Sequence, residues 1–186
     1  MGANKECESA MLTKPELLSQ LTNAKNNYIL GLAALSLFAT PEAYPLLDKN
    51  RAAFGPYTVT FEQVAALLRN PTDRDIATKE FLTMLLRALI KESFELLKDY
   101  CDETSQAGQF KAESWYQFAR MMRNCLSHSF RFEFNSYDKS LLPVTWKLRT
   151  ITLAMDGQFL SLSFFGYVEA WELFDEFDNF ANKRLA

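Results

Sequence analysis

The 186-residue sequence contains a single histidine, His128, and three cysteines, Cys7, Cys101 and Cys125. One imidazole and no C-x-x-C spacing cannot build a common zinc site, and an odd thiol count gives no disulfide framework, so a reducing, cytoplasmic setting is expected. Glycine is scarce, six in all. No P-loop, no Rossmann glycine pattern and no G-x-S-x-G elbow occurs, which removes the common phosphate-cradle and serine-hydrolase designs. The longest apolar run, Tyr28 to Ala39, is shorter than the roughly 20 residues a membrane helix needs and lies too far from Met1 for a signal peptide. It reads as the half of a helix that is buried all round. Glu6 stands where a myristoylation signal wants serine or threonine, so no lipid anchor is expected.

What is present describes one globular domain over 1–186, with 48% hydrophobic and 23% charged residues. A net charge of -3 argues against broad electrostatic binding of nucleic acid. Any RNA contact then needs a local basic patch.

The pattern predicts a mainly α protein, an up-down helical bundle with a C-terminal β-hairpin and a final helix: a helical core over 13–130, a hairpin over 141–165 and a last helix over 166–185. After a loose polar start of about a dozen residues, Thr13 and Glu16 form a capping box for a helix to Ala39. Pro41, Pro45, Gly55 and Pro56 mark 40–60 as a long connection. Thr60 and Gln63 suggest a second box, opening a helix that Pro71 stops. Thr72 or Asp73 then caps a long third helix, whose polar strip holds Glu80, Arg87, Lys91 and Lys98. Glu92 falls off that strip, either as a support residue with a buried partner or as a glutamate reaching solvent. Residues 102–109 read as a loop, a fourth helix runs from about Ala112 to Ser129, and Asp156-Gly157 reads as the turn of the hairpin.

The fourth helix is the informative one. On a wheel, Trp115, Phe118, Ala119, Met121, Met122, Cys125 and Leu126 fill one side. The opposite arc, about 140° wide, holds Arg123, Tyr116, Ser127, Arg120, Asn124, Gln117 and His128. One face is core and the other is polar, cationic and rich in hydrogen-bonding groups. Arg123 and His128 lie about 140° apart around the helix and roughly 7.5 Å along it. One helix alone aims them poorly at a common atom, whereas two copies across a twofold axis could bring one arginine to the other histidine. A last-turn histidine also has a simpler use, since its cationic form suits the helix dipole and the free carbonyls. Both readings stay open on pattern alone.

The segment Arg123-Asn124-Cys125-Leu126-Ser127-His128 resembles the R-x4-6-H signature of HEPN domains, in which a polar residue, commonly asparagine, follows the arginine. The resemblance covers roughly 60–130, together with the first helix. It implies a metal-independent endoribonuclease with no cofactor, acting as a homodimer with a composite site, in a toxin-antitoxin or phage-defence setting with an antitoxin protein as partner. It further implies Arg123 and His128 as catalytic residues, Asn124 as an orienting group, and Arg120, Ser127 and Arg131 as contacts to RNA. DNA lacks the internal 2'-hydroxyl nucleophile and should be inert. In HEPN toxins silenced by nucleotide transfer, the acceptor tyrosine lies two residues after the histidine, where this chain has Phe130. Some members of the family have lost catalysis, so a helical module that binds protein or RNA is the alternative. Lys147 and Arg149 are further candidate RNA contacts, and a Cys125-His128 nucleophile is disfavoured because Cys125 lies in the apolar arc.

Overall fold

The computed structural model describes residues 12–186, so the loose start expected for the first dozen residues lies almost wholly outside them. Helix α1 (Lys14–Phe38) begins where Thr13 donates from its backbone and its hydroxyl to Glu16, at 2.8 and 2.6 Å. Only one side of it is covered. Leu17, Leu21, Tyr28 and Gly31 are buried, while Leu30 is 67% and Leu37 58% exposed, so the apolar run is not enclosed all round as expected. At Gly31 a β-carbon would collide with the Leu85 side chain, so glycine permits the close approach of α1 to the helix that carries Leu85. No single helix among the described residues is long and apolar enough to cross a membrane; α1 and 41–49 pass that test only as a pair bent by 94°.

The expected connection over 40–60 is structured. A 3-10 turn (Pro41–Ala43) leads into α2 (Tyr44–Lys49), then β1 (Arg51–Phe54) pairs antiparallel with β2 (Tyr57–Thr60). Pro41 and Pro45 sit in first helical turns, where a missing N–H costs nothing, and Gly55 takes φ 57° at the hairpin tip. Helix α3 (Glu62–Arg69) starts at Phe61 without the Thr60–Gln63 box. Helix α4 (Pro71–Arg87) is capped by Asn70, not by Thr72 or Asp73: its Oδ1 accepts from the backbone of both, at 3.0 and 3.5 Å.

A π-helical turn, Ala88–Glu92, joins α4 to α5 (Ser93–Glu103). The added residue rotates everything after it relative to a uniform wheel. Leu89 and Ile90 become fully buried against α1 and the later helices over Tyr116–Ser127 and Tyr167–Lys183, and Glu92 turns outward, 60% exposed beside Lys91. Among the described residues Glu92 therefore has no buried partner. The predicted loop over 102–109 runs into α6 (Ala107–Lys111), and α7 (Tyr116–Ser127) comes next. Beyond α8 (Ser136–Leu141) the hairpin is not the expected one: β3 (Val144–Trp146) and β4 (Arg149–Ile151) both lie ahead of Asp156-Gly157 and pair with each other through a turn at Lys147 and Leu148. The Asp156-Gly157 turn is real, but the segment 158–160 pairs with 130–132, through Phe132 N to Gln158 O (3.0 Å) and Leu160 N to Phe130 O (2.7 Å). A last helix, α9 (Tyr167–Lys183), closes the bundle.

The core is aromatic. Phe94 packs on Phe110, Tyr116 and Phe177 with ring centroids 5.3 to 6.1 Å apart, tying α5, α6, α7 and α9 together. Tyr116, read from the wheel as part of the polar face, is buried in this cluster. Replacing Phe94 by alanine is expected to lower the unfolding free energy by about 3–5 kcal/mol in denaturant melts. Leu30→Ser, on the open side of α1, should stay within roughly 0.5 kcal/mol of the parent.

Candidate functional site

Helix α7 is built from its buried side outward. Phe118, Ala119, Met121, Met122, Cys125 and Leu126 are all within 2% of full burial. That fixes the rotation of the helix, and the opposite side must then face α5, α8 and solvent.

The helix ends at His128, whose N–H donates to Asn124 O (3.0 Å) and Cys125 O (3.2 Å). Ser129 and Phe130 come next at φ 54° and 61°, two successive left-handed residues without a glycine. Such a conformation is unfavourable for a bulky side chain and persists only where neighbours impose it. The neighbours here are the ladder from 130–132 to 157–160 and Arg87. Arg87 Nε donates to Leu126 O at 2.9 Å, while its guanidinium lies 4.9 Å from the Phe130 ring centroid. Arg87 thus satisfies a carbonyl at the end of α7, a role the sequence did not disclose.

Arg123 Nη1 donates to Asn124 Oδ1 at 2.8 Å, and Nη2 is ion-paired with Glu95 of α5. Its Nε is buried and has no acceptor among the described residues. Asn124 also lines a cleft of about 370 Å³ together with His128, Glu133, Asn135, Asp138 and Asp156. Asn124 therefore touches Arg123 on one side and shares the cleft with His128 on the other, while Arg123 itself does not line that cleft. The His128 side chain is 57% exposed, with Nδ1 3.7 Å from the Glu133 carboxylate.

The other predicted residues have different occupations. Arg120 donates from Nε to Gln117 (3.0 Å) and from Nη2 to Asp138 (2.5 Å), and covers the Tyr137 ring, so it fastens α8 to α7. Arg131 donates to Gly157 O at 2.6 Å and lies 4.1 Å over Phe159. Ser127 is exposed, its hydroxyl bonded back to Arg123 O at 2.8 Å. Lys147 and Arg149 face the acidic side of α9, paired with Glu172 and Glu169.

The arc that reads as cationic on a wheel is consequently neutralised in the folded chain, Arg123 by Glu95 and Arg120 by Asp138. The cleft beside His128 is lined by the carboxylates of Glu133, Asp138 and Asp156. Lys139 at 2.9 Å, with help from the Phe134 N–H, holds the Asp156 carboxyl below its ordinary range, so that residue stays ionised well into acid. Asp138 is paired with Arg120 and Asp156 with Lys139, which leaves Glu133 as the exposed carboxylate beside His128. Acceptors line the cleft itself, suited to hydroxyls, ammonium groups and the N–H edges of bases.

Cys125 is buried beneath this surface, and desolvation pushes its thiol up to about 12. It is no nucleophile for His128. Among the described residues no three His, Cys, Asp or Glu side chains gather as metal ligands.

Comparison of the chain with protein-family models, with curated proteins and with solved structures finds no match. The likeness to HEPN domains accordingly stands on the motif at Arg123, Asn124 and His128.

Two measurements probe this geometry. Asp138→Ala leaves the sheltered Arg120 guanidinium without its anion and should destabilise the fold by about 3–5 kcal/mol in denaturant melts. In native protein at pH 8, alkylating reagents should leave Cys101 and Cys125 unmodified, since burial pushes both thiols up to about 12, and both should react once the chain is unfolded.

Proposed function

We propose that this chain is a metal-independent endoribonuclease of the HEPN type, working as a homodimer with a composite site. The observation that carries the reading is the role of Asn124, which holds the Arg123 guanidinium and lines the same cleft as His128. A general acid-base group and an always-charged donor share one accessible surface, as RNA cleavage requires.

In the proposed reaction the ribose 2'-oxygen attacks the adjacent phosphorus. The new P–O2' bond forms as the P–O5' bond breaks, leaving a 2',3'-cyclic phosphate and a 5'-hydroxyl. His128 moves the proton at the 2'-oxygen or at the leaving 5'-oxygen. Arg123 stabilises the charge that builds on the pentacoordinate phosphate, and Asn124 fixes its direction. Across a twofold axis the arginine of one copy serves the histidine of the other, which removes the difficulty that the two diverge on their own helix. DNA, without the 2'-hydroxyl, is not a substrate. A toxin-antitoxin or phage-defence role, with an antitoxin protein as partner, accompanies the reading. Silencing by nucleotide transfer two residues after the histidine does not, since Phe130 has no hydroxyl.

The cleft favours a second reading, a non-catalytic module in which the exposed Glu133 carboxylate beside His128 receives a basic segment of a partner. One assay separates them: purified protein with single-stranded RNA in EDTA. The nuclease reading expects cleavage with cyclic-phosphate ends, lost at least a hundredfold in His128→Ala and in Arg123→Ala. Intact RNA at high protein concentration, or cleavage indifferent to both changes, would leave the binding module.

A further inference from the structure

Resting on the nuclease reading, we propose that Glu95 is the positioning residue of Arg123 and that the guanidinium works only while an acceptor at the end of this side chain holds it. Glu95 belongs to α5, not to the motif helix. It reaches α7 because the π-helical turn Ala88–Glu92 lies just ahead of it and sets the rotation of α5. The pair is half-sheltered, with 29% of the Arg123 side chain and 26% of the Glu95 side chain exposed. Solvent screens it less than a surface pair.

The guanidinium has five N–H groups in one plane. Glu95 takes one on Nη2 and Asn124 one on Nη1, and the Nε–H is buried out of reach of a ligand. One N–H remains on each terminal nitrogen for an incoming phosphate oxygen. Two fixed partners on different helices define the plane, whereas Asn124 alone would leave the group free to turn. A long side chain that must meet a transient charge accelerates the step only if its direction is set beforehand. The carboxylate has an opposite effect on the resting complex, where it lowers the attraction of Arg123 for a phosphate. Its removal should therefore hurt turnover and not binding.

The test is steady-state cleavage of a single-stranded RNA by the full chain. In Glu95→Ala, kcat should fall tenfold or more while KM holds or decreases. Glu95→Gln, which keeps an acceptor for Nη2, should recover most of kcat. Arg123→Ala and the double variant Arg123→Ala with Glu95→Ala should be equally slow, because the carboxylate acts only through the arginine. A Glu95→Ala enzyme with wild-type or higher kcat, a glutamine variant as slow as the alanine one, or a double variant slower than Arg123→Ala would each overturn the proposal. Should the alanine variant melt before assay, Glu95→Asp withdraws the carboxylate by one methylene: a similar loss supports the assignment and full activity contradicts it. Failure of the nuclease reading has its own signature, a wild-type chain that cleaves nothing or an unaffected Arg123→Ala. Independently of turnover, ¹⁵N NMR should show separate Nη1 and Nη2 signals for Arg123 that coalesce in Glu95→Ala; coalesced signals in the wild type would contradict a held guanidinium.

Discussion

Burial of one side of α7 against the π-helical turn and the aromatic cluster around Phe94 constrains everything that its other side presents. Once Phe118, Met122, Cys125 and Leu126 are enclosed, the helix cannot rotate, and Arg120, Arg123, Asn124 and His128 have fixed directions. The chain then reverses within two left-handed residues, and Arg87 ties the reversal to the helix end. The imidazole is thereby held at a rim, neither packed in the core nor carried on a loose tail.

The same enclosure explains why Arg120 and Arg123 each have a carboxylate. A guanidinium that loses most of its water needs compensation, and Glu95 and Asp138 supply it from α5 and α8. The two pairs have different consequences. Arg120 and Asp138 are sheltered enough to serve the fold alone, whereas the Arg123 side chain stays 29% exposed. Charge on this side is local and balanced, in keeping with a net charge of -3, which argues against broad electrostatic binding of polyanions. In the proposed enzyme, RNA would be gripped by few groups, and a second copy would supply what one cleft lacks.

Much of the helical order is legible in the sequence because it depends on neighbours a few residues apart. Thr13 and Glu16 announce α1, and the 3.6-residue period of 115–128 fixes α7. Asn70 before Pro71 is also a local signal, an N-cap ahead of a first-turn proline, although Thr72 and Asp73 are equally plausible caps by type. Elements set by distant contacts are not legible. The π-helical turn depends on packing against three helices at once, and the strand after Asp156-Gly157 chooses 130–132 over the nearer 144–151. The short elements over 40–60 hide behind prolines that start helices as readily as they end them. For the site, the motif and the polar arc can be read directly. Its neutralisation cannot, since Glu95 lies 28 positions before Arg123 and Asp138 18 after Arg120. A helical wheel sees the cations of one helix and none of the anions brought to it.

Sharing of a phosphate between the arginine of one copy and the histidine of another is the claim on which the account turns. Mixing two inactive variants, Arg123→Ala and His128→Ala, tests it most directly. In a composite site, each mixed dimer keeps one intact pairing, so random exchange should restore about a quarter of the wild-type cleavage rate. A mixture that exchanges subunits and remains inactive would contradict it.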